Sequence, residues 1–231
     1  VLFRSECSLQ RRHQKLVEIA PCPGLAPGLR ERLVDAALRM AGALGYRGAG
    51  TFEFLVEARE PVLDEQARWA FLEANPRLQV EHPVTEEVFG VDVVRAQLEI
   101  ASGRMIAEIG LASSPSPRGF AVEARVNAET VEADGSIRPS VGVLLAFDPP
   151  TGRGVRVETA ARAGGSPNPA FDSLLAKVIG SDPGPHFADA CARTARALDE
   201  FRIEGLRTNL PLDRKSTRLN SSHANISYAV F

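Results

Sequence analysis

Residues 72–82 read Leu72-Glu73-Ala74-Asn75-Pro76-Arg77-Leu78-Gln79-Val80-Glu81-His82. Apolar and polar side chains alternate through this segment, and a period of two predicts extended chain with one buried and one polar face. The polar positions carry two carboxylates, two amides and a guanidinium, whereas an ordinary solvated face usually carries Lys, Thr or Ser. Carboxylates and amide oxygens suit a divalent metal ion, and a guanidinium suits a small anion. The segment therefore predicts a polar site that handles both.

The composition indicates a folded chain without a bulk charge. The 231 residues are 44% hydrophobic and 24% charged, which predicts a packed core in one large or two small domains. The formal net charge of −2 argues against nucleic acid as a partner. Cys7, Cys22 and Cys191 form no CxxC pair, so we expect a reducing compartment, the cytoplasm. No apolar run approaches the roughly 20 residues of a bilayer span, so no membrane association is predicted.

The first half of the chain predicts both helices and strands. Residues 1–15 are expected to be extended, and the chain begins without an initiator Met, as if within a domain. Apolar residues at helical spacing predict helices at 29–44 and 85–101. Strands at 51–57 and 69–75, separated by a charged turn, predict an antiparallel hairpin. Five apolar residues of the second helix are expected to face inward: Val88, Val91, Val94, Leu98 and Ala101.

A Ser- and Pro-rich segment at 112–118 is the predicted domain boundary. Beyond it the pattern predicts an antiparallel α+β half with one helix at 186–201. Its strands are expected at 121–127, 142–147, 154–159 and 174–179. Residues 213–231 are rich in Ser, Asn and Arg without an apolar period, and we interpret them as a non-native tail.

The predicted hairpin offers a metal site. Glu53 and Glu73 each lie between apolar neighbours on adjacent strands, so they could face each other, with Asn75 on the same side as Glu73. Two carboxylates and an amide oxygen suit Mg²⁺ or Mn²⁺. Two unrelated acids on a water-facing side would give the same pattern, and the pattern alone favours that alternative.

The residues after Asn75 offer an anion site. A straight strand would place Glu81 roughly 26 Å from Glu73, too far to share one metal ion. We therefore expect two adjoining subsites, with Arg77 clamping a planar oxyanion and Gln79 donating beside it. Glu81 would repel an anion unless it acts as a base or partners a cation. A surface ion pair between Arg77 and Glu81 is the alternative.

Three further features have structural alternatives. The basic cluster at 11–15, which ends at Lys15, could bind phosphate or a carboxylate, although such clusters are more often solvated. His82 could hydrogen-bond to the Glu81 carboxylate, although a structural histidine is the commoner case. Arg125 shares a strand face with Glu123, and an internal pair between the two is the default interpretation.

Several motifs in fixed order carry a family resemblance: residues 10–15, 45–55, 71–86, 121–129, 171–177 and 204–209. Together they closely resemble the biotin carboxylase component of biotin-dependent carboxylases, over about residues 6–212. The resemblance implies an α+β fold. It places the C-terminal half of an ATP-grasp domain at 1–111 and the biotin carboxylase C-terminal α+β domain at 112–212.

The resemblance also implies an activity. Such ligases use MgATP and bicarbonate to carboxylate biotin that is carried on a partner domain, with formation of a C–N bond. Carboxyphosphate is expected to form first and to yield CO2 and phosphate, and the phosphate can take the N1 proton of biotin. The implied partners are a biotin carboxyl carrier domain and a carboxyltransferase component, and a homo-oligomer stays open.

Residue roles follow from the matching motifs. Glu53, Glu73 and Asn75 resemble the metal and ATP-phosphate shell. Glu81 resembles the base that deprotonates bicarbonate, and Arg125 resembles the cation that stabilises the biotin enolate. The residues that resemble the bicarbonate cradle of the family are Lys15, Arg77, Gln79 and Val80, the last through its backbone N–H. Those that resemble its nucleotide contacts are Gln10, His13 and Leu55.

The chain also departs from the family pattern. The nucleotide-type domain and the Gly-rich lid of the family are not found in these 231 residues, so we expect the chain alone to turn over little or no ATP. Detectable bicarbonate-dependent ATPase activity would contradict this. Residues 166–171 replace a Pro/Tyr-rich turn before Asp172. Another ATP-grasp ligase, such as a carbamoyl-phosphate synthase, and a non-catalytic half-module remain alternatives, although the Arg-x-Gln-x-Glu sequence and Arg125 favour a carboxylase.

Overall fold

The computed structural model describes residues 5–11, 14–57, 64–132, 136–168 and 170–214. Within these ranges the chain forms strands and helices in the order β1 (Glu6–Arg11), β2 (Gln14–Ala20), α1 (Pro27–Ala43), β3 (Thr51–Val56), β4 (Trp69–Asn75), α2 (His82–Phe89), α3 (Val93–Ala101), β5 (Phe120–Asn127), β6 (Glu129–Val131), β7 (Ile137–Pro139), β8 (Ala146–Asp148), β9 (Val155–Thr159), β10 (Leu174–Asp182), α4 (Phe187–Glu200) and β11 (Arg202–Glu204). A short helical turn follows at 210–214. The α+β fold class is confirmed. No helix in the described part of the chain combines the length and apolar character that crossing a membrane requires.

A five-stranded antiparallel sheet in the order β1-β2-β5-β10-β9 forms the centre of the molecule. Its strands come from both sides of the 112–118 segment, because β2 pairs with β5. The domain division at this segment stays a prediction. The antiparallel pairing predicted for the second half is confirmed by β5, β9 and β10.

The two faces of the central sheet differ in chemistry. One face carries small apolar residues such as Val17 and Val178, which pack against α1 and α4 in two buried clusters. The other face is partly covered by α2, whose Val84 and Val88 contact Ile179. Register places six ionisable side chains on this second face, because opposed residues in neighbouring strands share a face. They are Glu18, Glu123, Arg125, Arg156, Glu158 and Lys177.

The β3–β4 hairpin forms as predicted. Glu53 lies directly opposite Glu73 in the register, so both side chains are on one side of the hairpin. On the other side Phe54 is 1% exposed and packs edge-on against Trp69, with 5.4 Å between ring centroids. The alternation of the sequence thus correctly predicted that the two carboxylates share one side. The buried apolar face that it also predicted is wrong for β4, where Leu72 is 50% exposed.

The predicted helix 85–101 is wrong in two respects. It is two helices, α2 and α3, because Gly90 ends α2 in the left-handed region at φ +65°. Asp92 then caps α3 by accepting a hydrogen bond from the Arg95 N–H at 2.7 Å. In addition, α3 has no buried residue, and Leu98, which was expected to face inward, is 63% exposed.

Other element boundaries differ less. The predicted strand at 142–147 is reduced to β8 at Ala146–Asp148, which pairs with β11. Residues 1–15 contain β1 and the start of β2, and the second of these strands extends to Ala20. Of the predicted non-native tail, only residues 213 and 214 are described, and the tail otherwise lies outside the described residues.

Gly119→Ala is expected to destabilise the chain more than Gly24→Ala. Both glycines have left-handed backbone, at φ +67° and +69°, so each substitution carries a similar strain of about 1–2 kcal/mol. A Cβ at Gly119 would also lie 1.9 Å from the backbone oxygen of Asp182, whereas a Cβ at Gly24 meets nothing within 4 Å. We expect an additional loss of about 2 kcal/mol for Gly119→Ala. Urea unfolding followed by fluorescence of Trp69, the only tryptophan, measures both, and equal losses would contradict the clash.

Candidate functional site

A cleft of about 630 Å³ opens beside the polar face of the central sheet. The β1–β2 hairpin, the β3–β4 hairpin, the 76–81 loop and β5 all contribute to its walls. The lining residues are Gln10, Gln14, Lys15, Glu53, Leu72, Glu73, Asn75, Arg77, Gln79, Val80, Arg125, Asn127, Asp172 and Leu174. Most residues that the sequence singled out therefore meet at one place.

The hairpin wall of the cleft holds the predicted metal ligands. The Asn75 Nδ2 donates to Glu73 Oε1 at 2.7 Å and to Glu53 Oε1 at 3.4 Å, so the three side chains converge. Glu53 is buried at 4% exposure, while Glu73 is exposed. Two carboxylates that share one polar partner are a donor set that fits Mg²⁺ or Mn²⁺, because a cation could take the place of the amide N–H between them. Their role in metal binding stays a prediction.

Lys15 links the hairpin wall to Glu81 at the end of the 76–81 loop. Its Nζ donates to Glu53 Oε1 at 2.9 Å and to Glu81 Oε1 at 2.7 Å. Burial disfavours the charged ammonium, but the charge of Glu81 and the hydrogen bonds to both carboxylates outweigh this and raise the pKa of Lys15. The two predicted subsites are therefore adjacent, with one cation between them.

The 76–81 loop turns the chain away from the strand direction. The strand β4 ends at Asn75 and α2 begins at His82, so Glu81 does not lie along an extended strand from Glu73. The Gln79 Nε2 is buried and hydrogen-bonds to none of the described residues. Arg77 is exposed and donates from Nη1 to the Leu78 carbonyl at 3.3 Å. The loop thus presents an unsatisfied amide and a guanidinium, which fit an oxyanion.

Glu81 is buried at 3% exposure and is not itself a lining residue, but it contacts two residues that line the cleft, Lys15 and Arg125. It accepts hydrogen bonds from Lys15 and, at 2.9 Å, from Arg125 Nη2. Within the described residues no ion pair joins Glu81 to Arg77, so the surface-pair alternative is wrong. Glu81 partners two cations, as the sequence argument required of a carboxylate in an anion site.

Arg125 is held by carboxylates from two other elements. Its Nε donates to Glu18 Oε1 at 2.6 Å, and its Nη2 contacts both Glu18 and Glu81. The default pairing with Glu123 is therefore wrong. Burial opposes the charge of the guanidinium, but Glu18 and Glu81 outweigh it and raise the pKa of Arg125.

Two fully buried carboxylates lie behind Arg125. Glu18 and Glu123 are directly opposed across β2 and β5, and each is 0% exposed. Neither oxygen of Glu123 has a hydrogen-bond partner among the described residues, and the same holds for Glu18 Oε2. Burial and the nearby charge of Glu81 raise the pKa of Glu18 to about 7, although Arg125 acts against them. Burial, followed by the charge of Glu18, raises the pKa of Glu123 well above its usual value.

The remaining predicted residues have mixed outcomes. Gln10 lines the cleft and donates to the Cys7 carbonyl at 2.8 Å. Leu55 is 50% exposed and is not among the lining residues, while His13 lies outside the described residues. His82 does not contact the Glu81 carboxylate; its Nδ1 lies 2.9 Å from the Gln79 carbonyl oxygen, which is a structural role. The nucleotide contacts stay predictions.

Sequence reasoning missed two charged residues of this region. Glu18 interrupts the apolar run at 16–20, and Lys177 interrupts the apolar run at 174–180. A single charge inside an apolar strand indicates a buried group that needs a partner, and this signal could have identified both. Lys177 is 8% exposed, and its Nζ donates to the Val80 carbonyl at 3.0 Å.

Two family models match the chain in succession. Residues 1–109 match the model described as "Carbamoyl-phosphate synthase L chain, ATP binding domain", and residues 123–226 match "Biotin carboxylase C-terminal domain". The fold and the cleft thus define an ATP-grasp module joined to a biotin carboxylase C-terminal module.

Curated relatives and solved structures agree with both models. The chain is 44% identical over 215 residues to Biotin carboxylase 1 of Bacillus subtilis, covering 93% of this chain and 45% of that protein. It is 42% identical over 212 residues to Pyruvate carboxylase 1 of Caenorhabditis elegans, covering 91% of this chain and 17% of that protein. It therefore spans less than half the length of these relatives.

A biotin carboxylase domain of known structure also has the same fold. It is the biotin carboxylase domain dimer of Hydrogenobacter thermophilus 2-oxoglutarate carboxylase, in complex with MgADP, ADP and bicarbonate. The TM-score is 0.81 at 38% identity, and the match covers 93% of this chain and 44% of that one. The chain belongs to the biotin carboxylase family.

Proposed function

We propose that this chain supplies the bicarbonate- and metal-binding part of a biotin carboxylase active site. The whole enzyme would use ATP and bicarbonate to carboxylate biotin on a carrier domain, and a carboxyltransferase component would pass the carboxyl group on. One observation carries the proposal: Glu81 lies buried between Lys15 and Arg125, at a cleft that also presents Arg77 and Gln79.

The anion subsite suits bicarbonate. The fork of Arg77 and the unsatisfied amide of Gln79 would hold two oxygens of a planar oxyanion, and the Val80 N–H and Lys15 would complete the cradle. Glu81 would take the bicarbonate proton as general base, so that the resulting oxygen can attack the γ-phosphorus of ATP. The bond between the γ-phosphorus and the bridging oxygen of ATP would break in the same step, so that carboxyphosphate forms and ADP leaves.

The metal subsite would hold the nucleotide phosphates. Glu53, Glu73 and Asn75 are the residues that would bind Mg²⁺ or Mn²⁺, which would neutralise phosphate charge during transfer. Lys15 contacts Glu53 as well as Glu81, so the phosphate donor and the bicarbonate acceptor would be neighbours.

Arg125 would serve the second half-reaction. Carboxyphosphate would split into CO2 and phosphate, and phosphate would remove the N1 proton of biotin. The guanidinium of Arg125 lines the cleft at 14% exposure and is already oriented by Glu18, so it would stabilise the negative charge of the biotin enolate.

Bicarbonate binding tests the proposal. Titration of [¹³C]bicarbonate with the chain, followed by NMR line width, is expected to show saturable binding that Arg77→Met weakens at least tenfold, about 1.4 kcal/mol. The fold should tolerate this change, because Arg77 is exposed and its described side-chain hydrogen bond is a long one to the Leu78 carbonyl.

Arg39→Met is the matched control. Arg39 lies on α1 with a side chain that is 72% exposed, and the substitution removes the same charge away from the cleft. Equal weakening by both substitutions would mean that binding depends on the net charge of the chain and not on the position of Arg77. No bicarbonate binding by the wild-type chain, or binding unaffected by Arg77→Met, would overturn the proposed function. Calorimetry with MgADP, with and without bicarbonate, would then test whether another ATP-grasp ligase or a non-catalytic module fits better.

A further inference from the structure

The loop that carries the anion subsite has little support of its own. The backbone bonds that stabilise it run from the Arg77 N–H to the Asn75 carbonyl, at 2.9 Å, and from the His82 N–H to the Gln79 carbonyl, at 3.3 Å. The Val80 carbonyl instead accepts a hydrogen bond from a distant side chain, the Nζ of Lys177 on β10, at 3.0 Å. The peptide that joins Val80 to Glu81 is thus oriented from the central sheet.

Lys177 is itself fixed in place. It is 8% exposed and forms an ion pair with Glu158, which lies opposite it on β9. Glu158 also pairs with Arg156, and Arg156 donates to Glu86 on α2 at 2.7 Å. One end of this network holds the loop and the other holds the helix that follows it.

We propose that Lys177 is a positioning residue for the bicarbonate subsite. By fixing the Val80–Glu81 peptide, it keeps the Gln79 amide and the Val80 N–H directed at the cleft and the Glu81 side chain in reach of Lys15 and Arg125. The inference rests on the proposed function, because the oxyanion it helps to bind is bicarbonate. An ammonium suits this place because one donor satisfies the carbonyl while another satisfies Glu158.

The test uses two readouts on the full chain. Lys177→Met is expected to weaken [¹³C]bicarbonate binding at least tenfold. It is also expected to shift the Val80 carbonyl ¹³C and Glu81 amide ¹⁵N resonances in the absence of ligand, because that peptide loses its hydrogen bond. Lys177→Arg keeps the charge and the donors and is expected to restore at least part of the affinity. Should Lys177→Met fail to fold, Lys177→Thr carries the same expectations, because its hydroxyl is polar but too close to the backbone to reach the Val80 carbonyl.

Arg193→Met is the matched control, since it breaks the partly buried ion pair between α4 and Asp182 at the far end of β10 and leaves Lys177, Glu158 and the Val80 hydrogen bond intact. It is expected to lower stability and to leave bicarbonate affinity within about twofold. Unmoved Val80 and Glu81 resonances in Lys177→Met, or an unchanged affinity, would overturn the role of Lys177 alone. A wild-type chain that binds no bicarbonate would instead overturn the proposed function.

Discussion

Arg125→Met is expected to lower the free energy of unfolding by about 3–5 kcal/mol at pH 8. The substitution removes the cation that contacts Glu18 and Glu81 and leaves both carboxylates buried, at 0% and 3% exposure. A buried carboxylate without its partner either carries an uncompensated charge or takes up a proton, and both are costly at pH 8. The loss should be smaller at pH 5, where Glu18 is protonated in the folded state.

A double-mutant cycle tests the physical reason. Once Glu18→Gln has removed one buried carboxylate, Arg125→Met should cost at least 1 kcal/mol less than it does in the wild-type background. Arg39→Met removes an arginine from an exposed ion pair with Asp35, and we expect it to change stability by about 0.5 kcal/mol or less. Urea unfolding measures the four chains of the cycle and the Arg39→Met control. A loss for Arg125→Met no greater than that for Arg39→Met would show that the charge cluster does not stabilise the fold.

Stability is also expected to fall as the pH rises from 5 to 8, on the order of 3 kcal/mol for each of two buried glutamates. Burial raises the pKa of Glu6 and that of Glu18 from the ordinary 4.5 to about 7. Between these values the folded state holds protons that the unfolded state has lost, so the stabilisation is complete below 4.5 and is lost as the pH passes 7. Glu158 acts in the opposite sense: burial is outweighed by its hydrogen bond to Lys177, and its lowered pKa removes stability at acid pH. The stability maximum should therefore lie near pH 5.

Glu6→Gln isolates one of these groups. Between pH 5 and 7 it should reduce the slope of the unfolding free energy against pH by the equivalent of about one bound proton, because the amide does not titrate. Glu31→Gln on the exposed side of α1 should leave the slope unchanged. A Glu6→Gln chain that follows the wild-type profile would contradict a raised pKa at this position.

Local pattern predicted some elements well and others poorly, for identifiable reasons. The hairpin of β3 and β4 was predicted by alternation, although only β3 buries its apolar residues in the cluster, and β4 adds Trp69 at its start. The sequence still alternates after Asn75, but the strand ends there, because α2 begins at His82 and packs on the sheet. Helical period likewise runs through Gly90, where a left-handed cap divides the helix.

The site shows the same division. Alternation predicted that Glu53, Glu73 and Asn75 share one face of the hairpin, because alternate residues of a strand point to the same side, and the structure places the three side chains together. The partners of the catalytic candidates depend instead on strand order. Arg125 meets Glu18 across 107 positions of sequence, and Lys177 meets Val80 across 97. The first contact exists because β2 pairs with β5, and the second because the loop before α2 lies against β10; no local period encodes either arrangement.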